Sequence, residues 1–228
     1  MLAVTACRAD VNSVCDIIAF MVNGHVERVR SALLDLCEPL HDVFASAEQL
    51  RRERLPELAG PAYRWHGTHT IRAFAHRLLA AKAGELGDWM LAGNHAQNGA
   101  LWLTDGCYRI RVLHTLNEND VPPPGFSGAR RAFYRQPHLG GTIPLFGEPD
   151  DKLLVLWRID PVSAAAGFRV VRPIGNWKLG SHAQTDLDFI LPSTSDELAD
   201  LAFEPTDDDL GLELPHEEVD TIVGGFTG

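Results

Sequence analysis

Apolar positions recur at helical spacing through the front of the chain and at strand spacing behind it. Asp10 is placed to cap a helix running to about Val22, and Asn23-Gly24 supplies its stop. Val26, Val29, Leu33, Leu36 and Leu40 then alternate at three- and four-residue intervals, the stripe of a second amphipathic helix. Pro39 is expected to kink or end it, which makes 41–50 a separate helical piece. A third helix is predicted from Thr70 to about Ala83, with Ile71, Phe74, Ala75, Leu78 and Ala81 on one face and Gly84 closing it.

The period then changes. Residues 100–104 and 107–114 are β-prone runs flanking Asp105-Gly106, a pair that favours a two-residue type I′ hairpin turn. Such a turn sets Leu103 opposite Tyr108 and Leu101 opposite Ile110 on a core side, with Trp102 opposite Arg109 on the other. Ser127 is placed to cap a short helix, and further strands are expected over 153–159, 168–172 and 186–191. Strands that follow helices instead of alternating with them indicate an α+β fold with a mostly antiparallel sheet. The expected organisation is a helical part at 1–90, a β-rich part at 91–192, either separate from the helices or one domain with them, and an acidic segment at 193–228.

Charge distinguishes that last segment. Residues 193–228 contain eleven of the 31 acids and no Lys or Arg, so the remaining acids balance the 20 basic residues and the segment carries the whole formal charge of −11. It opens on Thr194-Ser195-Asp196-Glu197, which has the form of a capping box, followed by Leu198, Leu201 and Phe203. Asp207, Asp208 and Asp209 then precede Leu210, Leu212 and Leu214, apolar residues at strand spacing. Acids interleaved with large apolar side chains suit a basic, partly apolar groove, and these residues form the candidate partner-binding set.

Two candidate sites lie in the neutral body. His69, Arg72 and His76 fall on one face of the third helix, and Arg64 and His69 have a loose Arg-x4-His spacing of the kind seen in some helical ribonucleases. Such a face can bind a phosphodiester and move a proton, because histidine titrates near neutrality. Arg109, Arg111, Arg130, Arg131 and Arg135, with Trp102 and Tyr134, form a basic and aromatic patch suited to nucleic acid or to carboxylates. Asp186 and Asp188 share one side of a strand near His182, yet no third carboxylate stands at a metal-binding interval, so no metal site is assigned. No motif requires a cofactor. A phosphate-binding Gly-rich loop and a Gly-x-Ser-x-Gly elbow are both missing, which argues against common NTPases and serine hydrolases.

Cys7, Cys15, Cys37 and Cys107 contain no CxxC pair and read as reduced packing residues. Asp10 and Asp16 interrupt Met1–Val22, a poor signal peptide, and no run reaches the roughly 18 uncharged apolar residues of a membrane span, so a cytoplasmic place without membrane contact is expected. These features fit a non-enzymatic interaction or regulatory protein, inhibitor- or antitoxin-like, whose acidic segment engages a basic protein. The alternative is a phosphodiester-cleaving enzyme built on His69, Arg72 and His76.

Overall fold

The computed structural model describes residues 24–96, 98–117, 119–138, 151–178 and 181–201. The helix expected at 10–22 lies outside them. Helix α1 is described over 24–33 and passes through a 3-10 turn, Leu34–Leu36, into α2, Cys37–Arg54. Val29, Leu33, Leu36 and Leu40 are all buried on the expected stripe, which α2 extends through Val43, Phe44 and Ala47. Pro39 neither ends the helix nor separates 41–50. It sits in the first turn of α2, and since it cannot donate to the carbonyl four residues back, the irregularity falls just upstream, in the 3-10 turn.

Helix α3 spans Arg64–Ala81, beginning well before Thr70, and buries Ile71, Ala75 and Leu79. A 3-10 turn, Pro61–Tyr63, feeds directly into it, and proline is preorganised for a helical first position. Helices α1 to α3 cover one face of a six-stranded sheet of β1 (Met90–Ala92), β2 (Leu101–Thr104), β3 (Tyr108–His114), β4 (Asp151–Ile159), β5 (Ala166–Ile174) and β6 (Gln184–Leu191). The strands lie in sequence order, antiparallel throughout except for the parallel pair β3–β4. The fold is therefore α+β. One apolar core contains Leu33, Leu40, Phe44 and Ala75 of the helices together with Leu101, Ile110, Val155 and Phe168 of the sheet.

The hairpin departs from its expected register. Leu103 pairs with Ile110, Leu101 with Val112 and Trp102 with Arg111, a shift of two residues. Gly106 has φ 95°, but Asp105 is not among the residues with positive φ, so the turn is not type I′. Asp105 instead accepts from the backbone N–H groups of Cys107 (2.9 Å) and Tyr108 (2.6 Å), which widens the loop. A shift of two preserves which side each residue faces, so Leu101, Leu103, Tyr108 and Ile110 still enter the core.

The opposite face of the sheet carries a smaller cluster, Phe133 and Tyr134 of α4 (Gly128–Tyr134) against Leu154, Leu156 and Val171. Ser127 caps α4 by accepting from the Arg130 N–H. Just after α4, the buried Gln136 side chain donates to the carbonyls of Lys152 and Pro173 and accepts from Lys152 N–H, each at 2.8 Å. Pro173 has no N–H to offer β4, and Gln136 supplies the missing ladder contacts at that end. Among the described residues no helix is long and apolar enough to cross a membrane.

Candidate ligand site

The carboxyl ends of β3 and β4, the β1–β2 loop and the facing ends of α2 and α3 gather the polar groups of interest. Arg72 is half-buried on α3. Its guanidinium donates to His69 Nδ1 (2.8 Å) and to the Asn98 carbonyl (2.9 Å), while its Nε is buried without a partner. Gly99, with φ 59°, lies so close that a Cβ there would stand 3.4 Å from the guanidinium. His76 turns to the same loop, its ring stacked on His95 at 3.8 Å. Burial, and then the charge of His95, push His76 below its ordinary value. Thus His69 and His76 serve different neighbours, and Arg72 ties α3 to the β1–β2 loop.

The expected basic patch divides. Arg109, Arg130, Arg131 and Arg135 are exposed. Arg131 lies 5.8 Å from the Phe126 ring and 5.7 Å from the Trp177 ring and donates to the Gly125 carbonyl. Tyr134 is a correction: it is 1% exposed, donates to the Pro122 carbonyl, and has its phenol pushed up to about 12 by burial, so it belongs to the core beneath α4. Arg111 is half-buried, its guanidinium 5.3 Å from the Trp102 ring, which meets Phe133 edge-on at 5.2 Å. Its Nε is buried without a partner. Burial, and beyond it the charges of Arg130 and Arg72, depress Arg111. Arg72 is likewise depressed by burial. Neither guanidinium has a carboxylate partner among the described residues.

The acidic segment begins with α5, Ser195–Asp200, whose cap Thr194 accepts from Glu197 N–H at 3.3 Å, as the capping box predicts. Leu198 is 1% exposed within the main core, which removes it from any partner-facing surface; its apolar side chain is drawn into the seam beside α2. Leu201 is exposed at the end of α5 and its carbonyl accepts from Arg30. Phe203, Asp207, Asp208, Asp209, Leu210, Leu212 and Leu214 lie outside the described residues.

A cavity of about 610 Å³ opens at the same end of the sheet, between α2, α3 and the last residues of β3 and β4. His114 and Trp157, register partners on adjacent strands, are both on its wall with ring centroids 4.7 Å apart. His114 is held below its ordinary value by burial and by Arg72. Glu48, 3% exposed, accepts from Arg51 at 2.6 and 2.9 Å and from Arg52 at 2.6 Å; burial opposes its charge, and the two guanidiniums outweigh that and depress its carboxyl. Tyr63 and Trp65 stand exposed at the mouth. Sequence reasoning missed this arrangement: its residues come from α2, α3, β3 and β4 and the turn before α3, with no short spacing in common.

Asp186 is bonded by Arg172 (2.7 Å) and Asp188 by Arg169, and among the described residues no group of three or more His, Cys, Asp or Glu gathers to hold a metal. Cys37 is buried and its thiol is pushed up to about 12 by that burial, which makes it a packing residue. Compared with protein-family models, curated proteins and solved structures, the chain matches none of them.

Proposed function

We propose that this is a non-enzymatic binding protein whose acidic carboxyl-terminal segment engages a basic surface on another protein. The observation that carries the reading is the combination of composition and anchorage. Residues 202–228 hold eight acids and no Lys or Arg, and they follow directly on α5, which Leu198 pins into the core. An acidic segment tethered at a fixed point raises the encounter rate with a cationic partner, steeply so at low salt. The phosphodiesterase alternative draws less support, since His69 is bonded to Arg72 and His76 is stacked on His95.

A second reading has the segment folding back on its own chain, and the half-buried Arg72 and Arg111, without carboxylate partners among the described residues, favour it. One truncation separates the two. The cut belongs after Leu201, because a cut at 193 would also remove Leu198 from the core. If the segment works in trans, the truncated chain folds with unchanged stability and no longer retains the basic proteins that the full chain retains in a pulldown. If it works in cis, truncation lowers stability and exposes binding of polyanions such as RNA. A truncated chain that retains the same partners and gains no polyanion binding would refute both.

A further inference from the structure

The cavity at the carboxyl ends of β3 and β4 is lined by residues of the helices and the sheet, and its chemistry is specific. Trp157 is 1% exposed and lines it, yet among the described residues the indole N–H has no hydrogen-bond partner. Native structures satisfy nearly all such donors. The Trp157 nitrogen itself has almost no accessible surface, so a ligand acceptor reaches it as the cavity wall yields. His114 stands beside it, with burial and Arg72 favouring the neutral ring. At the mouth, Trp65 is 66% exposed and Tyr63 44%, two aromatic faces that are costly to leave in water and suited to stacking.

The charge on the walls is one-sided. Among the described residues Glu48 is the only carboxylate lining the cavity, and it is already bonded to both Arg51 and Arg52. Arg64, at the first position of α3, also lines the cavity and makes no ion pair with the described residues. The lining therefore carries three guanidiniums to one carboxylate. A volume of about 610 Å³ falls in the range of small-molecule sites, roughly 300–1,000 Å³.

We propose that this cavity binds a planar aromatic small molecule bearing an anionic group, its ring stacked at Trp65 and Tyr63, an acceptor atom on the Trp157 indole N–H, and its anion on Arg64. The anion is a phosphate or a carboxylate, and the test distinguishes them. The full chain is titrated calorimetrically at low salt with adenosine monophosphate, with indole acetate, and with uncharged adenosine. Saturable binding of either anion is expected, tighter than that of adenosine and weakened at least about fivefold by one or more of Arg64→Ala, Trp65→Ala and Trp157→Phe. Arg64 and Trp65 are exposed, so their variants leave folding intact, and Trp157→Phe keeps the ring while deleting the donor. Phosphate is the anion if only adenosine monophosphate binds, and carboxylate if only indole acetate does. Three results would overturn the proposal: no saturation by either anion up to about 10 mM, adenosine binding as tightly as its monophosphate, or anion binding that all three variants leave within about twofold.

Discussion

The two ends of the sheet handle charge in opposite ways. At the amino end of β4, Asp151 lies 3.0 Å from His25 and 3.0 Å from Arg172, and Arg172 reaches on to Asp186 at 2.7 Å and to the Pro137 carbonyl at 3.0 Å. Arg172 is 3% exposed and Asp151 7%, so these charges have left water and found each other. Toward the carboxyl end of β3, Arg72 on the helix-covered side and Arg111 on the opposite face are half-buried with no carboxylate among the described residues, and a cavity lined by Trp157 opens on the helix-covered side. Both ends bear a desolvation cost, but only one offsets it internally. That asymmetry separates a region built for stability from one built to receive something.

The largest effect should come from breaking the complete end. Arg172→Met leaves the buried Asp151 with His25 but without its arginine and takes the Arg172 bond from Asp186, and removing one partner of such a network costs about 3–5 kcal/mol. Urea denaturation should show the midpoint falling by about 1–3 M. A loss below about 1 kcal/mol would mean that the network is no firmer than a surface ion pair. Gln136→Ala comes next. It deletes the donor to two strand carbonyls and the acceptor of one strand N–H, and unsatisfied buried groups cost about 1–3 kcal/mol. Hydrogen exchange should show lost protection at Lys152, whose N–H donates to the Gln136 side chain, while Gly175, held by the Gln136 backbone carbonyl, and β2 and β3 change less.

How much of this was legible follows from the range of each interaction. The stripe from Val29 to Leu40 and the sides of the hairpin could be read because burial imposes a period on neighbouring residues. The hairpin register could not, since it turned on whether the Asp105 carboxylate bonds forward to Cys107 and Tyr108. The Thr194 capping box was readable for the same local reason, whereas the burial of Leu198 depended on distant α2. Both ends of the sheet were opaque. His25, Asp151, Arg172 and Asp186 meet only after four elements are assembled, and Leu153–Trp157 is so uniformly apolar that nothing marks the Trp157 indole as lacking a hydrogen-bond partner among the described residues.

Acid should resolve the two ends in sequence. Burial, with Arg72 and His95, depresses His114 and His76, so the unfolded chain binds their protons first. Their contribution is complete above the unfolded value of about 6.5 and is lost as pH falls below it. Asp151 is also depressed: burial alone would raise it, but the His25 hydrogen bond and the Arg172 charge outweigh that. Its contribution is complete above about 3.9 and is lost only as pH falls through its lower folded value. Stability measured against pH should therefore decline in two stages, and His114→Gln should flatten the upper stage alone. Decline in a single stage near pH 4 would mean that the carboxyl end bears no such strain.

The smallest effect is the most discriminating. Arg111→Met removes a half-buried charge with no carboxylate partner among the described residues, so the desolvation it relieves should nearly cancel the lost contact with Trp102, which is worth about 0.5–1 kcal/mol. The expected change is close to zero, against several kcal/mol for the same substitution at Arg172. If Arg111→Met instead destabilises the full chain strongly, a carboxylate from outside the described residues is paired with it. Repeating the measurement in the chain cut after Leu201 locates that carboxylate. A cost that disappears with the truncation assigns it to the acidic segment folded back in cis, and a cost that persists assigns it to the body of the protein.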